Sequence, residues 1–452
     1  MKKGNYILLI LSMIIVSAVA TQAQETPASA TVFSLKESIA YSLKNNPTST
    51  IYKNEVLIAK EKKVEALSGY LPQISGSGTF DDNLKRQVTI LPAGVFGPEE
   101  TKIQFGNQYT TNVVAQLDQT LFDRTVTVAK EANKVNTLIA DLKLLQNNET
   151  IVYNTTMAYY QILTYNEQEK LLVENEKKYD ELLRILKLQY EKGVAKKIDY
   201  DRMRVSQNNI KSQLSLLKTN KELALNKLKY AMGMELSNKI AINDSLDYSM
   251  QVMMPTSVQL DANNLLDFKV QSNNIRLQQL DVERRRYLFY PTLSGYARYG
   301  AQSFGNEFGK SFTNWFDYSS IGLKLNIPIF DGNRKKSQLA QSKLSLLNAQ
   351  ENLKLNVRNY ELQFQNANTQ LFRSYTSLSD NKETLELAAD ILKNSSLQYQ
   401  KGTASLTDFL NSDYSYKEAQ SNYIASLLNF LTARVDFEKS QGNLSTYINQ
   451  LK

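Results

Sequence analysis

Residues 319–336 read SSIGLKLNIPIFDGNRKK, and this stretch joins the two patterns that decide the fold. Its first part alternates apolar residues with small or polar ones, which over about ten residues predicts a β-strand with one apolar face. Its last part, from Arg334, opens a helical pattern that continues to about residue 400. The apolar face of the strand would be formed by Ile321, Leu323, Leu325, Ile327 and Ile329.

The same strand-then-helix order occurs earlier in the chain. Residues 109–118 alternate in the same way, apart from Val114, and a run without proline or glycine follows from Arg124 to about Glu191. At 1.5 Å per residue, a helix of this length would be about 100 Å long. That is too long for a compact domain and typical of an elongated helical structure.

The chain is internally duplicated. Residues 190–199 read YEKGVAKKID and residues 399–408 read YQKGTASLTD, 209 positions apart. Pro72 is matched in the same order by Pro291, and the pair Phe122-Asp123 by Phe330-Asp331. Landmarks that recur in one order predict two structural repeats, each with a helix, two strands, a very long helix, a turn and a second long helix.

The repeats predict a division of the chain. The first repeat is residues 24–233, with strands at about 72–88 and 104–121, and the second is residues 261–440, with strands at about 291–303 and 314–330. Between them lies an insert, 234–260, and a short C-terminal tail, 441–452, follows.

The N-terminus has the pattern of a secretory signal peptide over residues 1–23. Lys2 and Lys3 precede an apolar run from Tyr6 to Ala20, and small residues then allow cleavage after Ala20 or Ala23. No later stretch approaches 18 apolar residues, so the exported protein is expected to have no transmembrane helix. If it enters a membrane, it must do so as a β-barrel.

Composition excludes many kinds of chemistry. The chain has no histidine and no cysteine, so disulfides, thiol nucleophiles, Ser-His-Asp triads and the usual zinc sites are excluded, and no metal or cofactor is expected. The acidic pairs at 81–82 and 99–100 lie in a predicted loop region without a pocket, so no enzyme is predicted. The net charge of +8 is too thinly spread to indicate nucleic-acid binding. The 26 tyrosines are unusual for a plain helical rod.

Aromatic residues cluster where the predicted strands meet helices, as expected of a membrane interface. Alternation alone fits a half-buried soluble sheet equally well. If the strands do span a membrane, four per chain cannot close a barrel, since about eight are needed and lipid does not tolerate an open edge. Two, three or four copies would then have to share one barrel. The interface aromatics are Tyr70, Phe122, Tyr287, Phe289, Tyr290 and Phe330.

The mature chain as a whole resembles the TolC family of bacterial outer-membrane efflux proteins. The resemblance rests on residues 34–40 with Asn45-Asn46-Pro47, on the paired prolines and Phe-Asp dipeptides above, and on residues 433–438 and 441–444. It implies a mainly α-helical homotrimer with a twelve-stranded outer-membrane β-barrel, four strands per chain, continuous with a long helical periplasmic tunnel.

The resemblance also implies a gate where the tunnel narrows. Asp408 matches an aspartate that forms a ring across three protomers, and the second such aspartate of the family is Asn411 here. Asp199 and Tyr399 match the closing network of the family, whose arginine is replaced by Ala404. Nearby lysines that could substitute for the arginine are Lys196, Lys197 and Lys401. Taken by themselves, both aspartates are also candidates for helix N-caps.

The same resemblance implies partners and a function. Gly193-Val194 and Gly402-Thr403 would form turns, with the glycines left-handed, that receive the helical hairpin of a periplasmic adaptor. The predicted function is a passive exit duct for small molecules such as drugs, recruited by that adaptor and an inner-membrane pump. For the cargo, metal-ion efflux and the secretion of proteins or peptides stay open. The alternative to a duct is a periplasmic coiled-coil structural protein.

Overall fold

The computed structural model describes residues 31–94, 97–243 and 259–450. The predicted signal peptide and residues 244–258 of the predicted insert lie outside the described residues. Of the insert, residues 240–242 form β6 (Ile240–Ile242), which pairs in parallel with the N-terminal strand β1 (Thr31–Phe33).

Long helices dominate both repeats, as predicted. The first repeat contains α1 (Leu35–Asn45), α2 (Pro47–Ser68), α3 (Arg124–Glu191) and α4 (Lys197–Met232). The second contains α5 (Leu266–Tyr287), preceded by a 3₁₀ turn at Ala262–Asn264, then α6 (Arg334–Gln400) and α7 (Leu406–Ser440). The segment predicted as a tail contains a further helix, α8 (Leu444–Gln450).

Local sequence signals explain where these helices begin. At α1, the Ser34 side chain accepts from the backbone N–H of Glu37, and the Glu37 carboxylate accepts from the backbone N–H of Ser34, which is a capping box. Asn46 then caps α2, with Pro47 at the first helical position, where its missing N–H costs nothing.

Glycines end the two longest helices, as predicted. Gly193 and Gly402 both have φ of 74°, the left-handed region that residues with a Cβ rarely adopt. After α3, the N–H groups of Gly193 and Val194 donate to the carbonyls of Tyr190 and Gln189, and the equivalent bonds follow α6. These are Schellman turns, and they reverse the chain so that α3 pairs with α4 and α6 with α7.

One antiparallel sheet holds the four long strands. They are β2 (Gln73–Asp82), β5 (Tyr109–Phe122), β7 (Thr292–Gly305) and β8 (Trp315–Asn326), in the spatial order β2-β5-β7-β8. The middle pair, β5 and β7, joins the two repeats. A separate hairpin, β3 (Val88–Leu91) with β4 (Thr101–Gln104), extends beyond this sheet.

The predicted strand limits were too generous in three places, one of which is the strand predicted at 104–121, which begins at Tyr109. The strand predicted at 72–88 ends at Asp82, and residues from 88 onward belong to the hairpin, as do residues 101–104. The strand predicted at 314–330 ends at Asn326. Pro328 has no N–H to donate to a neighbouring strand, so Ile327 and Ile329 follow the strand instead of extending its apolar face.

Two apolar clusters hold the helices together. The larger cluster centres on the fully buried Tyr159, Leu163, Phe430 and Phe437, where α3 crosses α7. The second lies near Gly193 and Gly402 and takes side chains from all four long helices, Leu186, Met203, Leu392 and Phe409 among them.

None of the described helices is both long enough and apolar enough to span a membrane.

Candidate gate and membrane-facing sheet

The strand register sorts the sheet into two chemically distinct faces. Gln116 lies opposite Arg298, and Arg298 opposite Ser320, so these three share one face; their sequence neighbours share the other. The first face, here called the polar face, includes Ser75, Ser77, Asn112, Gln116, Asp118, Tyr296, Arg298, Gln302, Ser320 and Lys324. The second, the apolar face, includes Ile74, Phe80, Val113, Ala115, Leu117, Leu293, Ala297, Ile321, Leu323 and Leu325, and it carries two carboxylates, Asp82 and Asp317, toward the end away from the helices.

The apolar face is left uncovered by the chain. Ile321 is 87% exposed, Leu323 71% and Val113 51%. Within the described residues, moreover, no strand pairs with the outer edge of β2 or of β8. An exposed apolar face with two open edges is unstable in water, and it indicates both a non-aqueous environment and further strands alongside.

Aromatic residues mark both ends of the sheet. All six predicted interface aromatics lie at the end where the strands join the helices; there the Arg124 guanidinium lies 4.9 Å from the ring centroid of Tyr287. The opposite end carries a cluster that the sequence did not predict. Rings of a 3₁₀ turn, Phe308–Phe312, pack on the apolar face at centroid distances of 5.4–6.0 Å; the cluster is Phe80, Tyr109, Phe308 and Phe312.

The far ends of the long helices form what is here called the tip, residues 189–200 and 398–409. It lies 68 residues along α3 from the sheet. The duplication is visible there in atomic detail, since Tyr190 stacks on Tyr200 at 6.0 Å and the equivalent Tyr399 stacks on Phe409 at 5.8 Å. The adaptor-contact residues predicted at the two turns are solvent-exposed, with Val194 at 77%.

Asp408 is not the N-cap of its helix; it lies at the third helical position. Ser405 is the cap and accepts from the N–H of Asp408, while the Asp408 carboxylate accepts from the Ser405 hydroxyl at 2.7 Å and the Ser405 N–H at 3.1 Å. These hydrogen bonds, that of the hydroxyl first, hold the pKa of the exposed Asp408 carboxyl below its usual value. The carboxylate is therefore fixed in place, charged and open to solvent.

Asp199 lies at the third position of α4, where Lys196 is the cap and makes no side-chain capping bond. Arg202, on the same helix, is the cation next to it, at 4.0 Å. In the described part of the chain none of the suggested lysines, Lys196, Lys197 or Lys401, forms an ion pair with Asp199. The sequence reasoning missed Arg202, although its spacing of three residues from Asp199 on a helix was visible.

Tyr399, at the end of α6, lies near Asp199, at the start of α4. Burial raises the pKa of the Tyr399 hydroxyl, and the charge of the Asp199 carboxylate raises it further. Asn411 is exposed on α7, three residues after Asp408 and hence on the same side of the helix. The structure thus brings Tyr399 to Asp199 and leaves Asp408 and Asn411 facing outward from a single chain.

A buried polar cluster, which the sequence did not predict, links α3 to α7 just above the tip. Its members are Asn175, Tyr179, Asp413, Lys417 and Gln420. Asp413 is 6% exposed; it accepts a hydrogen bond from the Tyr179 hydroxyl and pairs with the Lys417 ammonium at 2.8 Å. Lys417 also donates to the Tyr179 hydroxyl at 2.8 Å, and Asn175 donates to Gln420 at 2.7 Å.

This cluster holds the two helices together through specific polar contacts. Burial, followed by the charge of Asp413, raises the pKa of Tyr179, which therefore remains a proton donor at neutral pH. A cavity of about 340 Å³ adjoins the cluster between α3, α6 and α7. The only indication of this polar cluster in the sequence is the four-residue spacing of Asp413 and Lys417, which places them on one side of a helix.

The chain matches a known protein family over most of its length. A family model described as "Outer membrane efflux protein" matches residues 55–234 and 259–443, well over half of the chain. The chain belongs to the outer membrane efflux protein family. This confirms the resemblance inferred from its sequence motifs.

Individual members of the outer membrane efflux protein family are distant in sequence and close in fold. Outer membrane protein TolC of Escherichia coli K12 is 20% identical over 357 residues, 75% of this chain and 71% of that protein. The probable efflux pump outer membrane protein TtgC of Pseudomonas putida is 22% identical over 348 residues, 74% of this chain and 69% of that one. The Campylobacter jejuni CmeC outer membrane channel superposes with a TM-score of 0.71 at 18% identity, covering 92% and 88% of the two chains.

As a member of the outer membrane efflux protein family, the chain is an outer-membrane channel component of efflux systems. Its TolC-like fold combines a helical part that reaches into the periplasm with a smaller strand part. The exposed apolar face of the sheet is the feature of this chain that suits the membrane.

Proposed function

We propose that three copies of this chain form a passive exit duct whose sheets close into one twelve-stranded barrel in the outer membrane. The observation that supports this proposal most directly is the four-stranded sheet, which has an exposed apolar face and open edges at β2 and β8. Lipid cannot satisfy the N–H and C=O groups of those edges, whereas β8 of one copy pairing with β2 of the next satisfies all of them. The number of three copies is the one that the resemblance to the TolC family implies.

The helices would continue the duct into the periplasm and end at the tip. The 68 residues of α3 and the 67 of α6 correspond to about 100 Å each at 1.5 Å per residue. The exposed carboxylate of Asp408 at the tip, repeated by three-fold symmetry, would form one acidic ring that favours cations. Asn411 adds no second ring, since it carries no charge.

A periplasmic adaptor and an inner-membrane pump would complete the assembly. The exposed turns at Gly193-Val194 and Gly402-Thr403 are rigid Schellman turns of the same geometry, so a repeated adaptor hairpin could contact both in the same way. Cysteines placed at Val194 and Thr403 should crosslink to a co-expressed adaptor. Crosslinks confined to other regions of the chain would contradict this contact.

Small molecules such as drugs are the proposed cargo. Proteins of Pseudomonas putida that are 22% identical to this chain are named for antibiotic efflux and toluene efflux. A passive duct touches its cargo only transiently, so selection among such molecules would lie mainly with the pump.

The duct is tested with protein purified from outer membranes in detergent. It should migrate at the size of a trimer that dissociates on heating, and it should conduct ions as single channels in planar lipid bilayers. A water-soluble monomer released with the periplasmic fraction would contradict the proposal and favour a periplasmic structural protein.

Asp408→Ala should weaken Mg²⁺ block from the tip side by about tenfold, because the ring of three carboxylates is lost. Since the Ser405 hydrogen bonds lower the pKa of Asp408, block in the wild type should disappear only as the pH falls through that lowered value. Ser405→Ala removes the hydrogen bonds of the hydroxyl, so block should disappear at a higher pH. Asn411→Ala is the matched neutral control. Equal block in Asp408→Ala and wild type would exclude the acidic ring.

A further inference from the structure

We propose that Arg298 forms a basic ring halfway along the barrel lumen, which attracts anionic groups of cargo after they leave the helical tunnel. This rests on the proposed trimeric barrel and adds a charge preference to it. The ligand class is organic anions that carry carboxylate, sulfonate or phosphate groups. These are the groups that a guanidinium binds with two parallel hydrogen bonds.

The position of Arg298 follows from the register. It lies near the middle of β7, on the polar face, with uncharged neighbours on both sides, Gln116 on β5 and Ser320 on β8. The apolar face must be the one in contact with lipid, because Ile321 and Leu323 are among its most exposed residues. The polar face is therefore the one that lines the lumen.

Other charges on the polar face do not balance Arg298 at its own height. The nearest carboxylate, Asp118, lies one pair nearer the helices on β5 and accepts from the Gln116 amide at 2.8 and 3.0 Å. Lys324 lies one pair farther in the same direction, and Asp81 lies near the far end of β2. In the described part of the chain no carboxylate forms an ion pair with Arg298, whose side chain is exposed. Three copies related by symmetry would place three guanidinium groups, none of them in an ion pair, at one height.

Packing against Tyr296 holds Arg298 in place. Its guanidinium lies over the ring of Tyr296, 5.0 Å from the centroid, which is a cation–π contact. The Tyr296 ring lies in turn across the neighbouring strand at Gly322, where an added Cβ would come within 2.6 Å of the tyrosine hydroxyl oxygen. Because Gly322 has no side chain, the Tyr296 ring can pack against β8 and still contact the Arg298 guanidinium.

The duct would then carry carboxylates at the tip and guanidinium groups halfway along the barrel. In a narrow polar lumen with low-dielectric walls, a ring of like charges concentrates ions of the opposite sign. An anionic cargo molecule would thus be attracted outward once past the tip. Because the ring faces open water, it would bind such groups weakly enough to release them.

The test is block of single channels by tripolyphosphate added on the barrel side of a planar bilayer. The wild type should be blocked, and in Arg298→Gln the half-blocking concentration should rise about tenfold, as expected when a charged hydrogen-bonding partner is lost. Arg298→Lys keeps the charge but loses the two parallel hydrogen bonds, so its half-blocking concentration should lie between those of the wild type and Arg298→Gln. Gly322→Ala should weaken block partially by displacing Tyr296.

The matched control is Lys310→Gln, which removes one positive charge from the rim. Lys310 pairs with Glu307 at 3.0 Å on the turn that packs against the apolar face, so this variant should leave the block unchanged. Block by Mg²⁺ from the tip side should be normal in Arg298→Gln, which verifies an intact channel. Normal tripolyphosphate block in Arg298→Gln, or equal loss in Lys310→Gln, would overturn the ring alone. A wild type without channels would overturn both the ring and the duct.

Discussion

Val113→Lys is expected to reduce assembly in the outer membrane strongly. Val113 lies on the apolar face of β5, is 51% exposed in the single chain, and pairs with Gly78 and Ala301. A lysine in a lipid-facing position of a barrel strand costs about 2–4 kcal/mol at the bilayer midplane and about 0–1 kcal/mol near the interfaces. Val113 lies between these limits, because Asp317 shares its register row and Phe80 lies one pair farther from the helices. Three copies would carry this cost together, so the loss of trimer should be readily measurable.

Val114→Lys is the matched control, because it makes the same change at the adjacent residue on the polar face. The charge of Val114→Lys would point into the aqueous lumen, so trimers should form in nearly normal amounts. The measurement is the fraction of heat-dissociable trimer in outer-membrane extracts of the two variants. Equal amounts of trimer would mean that the apolar face is not in contact with lipid.

Asp413→Ala is expected to loosen the tip and enlarge the conductance. Asp413 is the shared acceptor for the Tyr179 hydroxyl and the Lys417 ammonium, and its removal leaves both groups without that partner. Breaking a buried pair from one side costs about 3–5 kcal/mol, and partial exposure of Lys417 reduces this to about 2–3 kcal/mol. The contact between α3 and α7 should open locally, because the large apolar cluster farther up is unaffected.

Local opening is measured by hydrogen exchange of the amides in residues 175–182 and 409–420, together with single-channel conductance. Tyr179→Phe removes one hydroxyl and should have a smaller effect, about 1 kcal/mol. Glu418→Ala, an exposed carboxylate on the same helix, should change neither quantity. If exchange and conductance in Asp413→Ala match the wild type, the cluster does not restrain the tip.

The sequence predicted the apolar face that the first prediction tests, but not the buried polar cluster that the second one tests. The apolar alternation around Val113 and Ile321 was legible, because neighbouring side chains of a strand point to opposite faces. The partnership of Tyr179 with Asp413 was not, because 234 residues separate them and nothing local specifies the contact. The same holds for Tyr153 with Asp436, 283 residues apart, where burial and the Asp436 hydrogen bond raise the pKa of Tyr153 to about 12.

These pairs explain part of the high tyrosine content. Tyr153, Tyr179 and Tyr360 each donate to an aspartate on another helix. A long apolar side chain with a terminal hydroxyl can cross a helix interface and still satisfy its polar end. Composition indicated that something other than a plain rod was present, but the partners of these tyrosines could be assigned only once the helices were packed.

Local signals in the sequence determined the elements of this protein. The absence of proline and glycine predicted helices of 68 and 67 residues, and the glycine turns predicted their ends, because φ and ψ preferences act within a few residues. The tertiary structure alone decided the strand register that sets Arg298 between Gln116 and Ser320, and the packing that buries Asp413 beneath Tyr179. Contacts of that kind depend on the summed packing of segments hundreds of residues apart, and no short stretch of sequence encodes them.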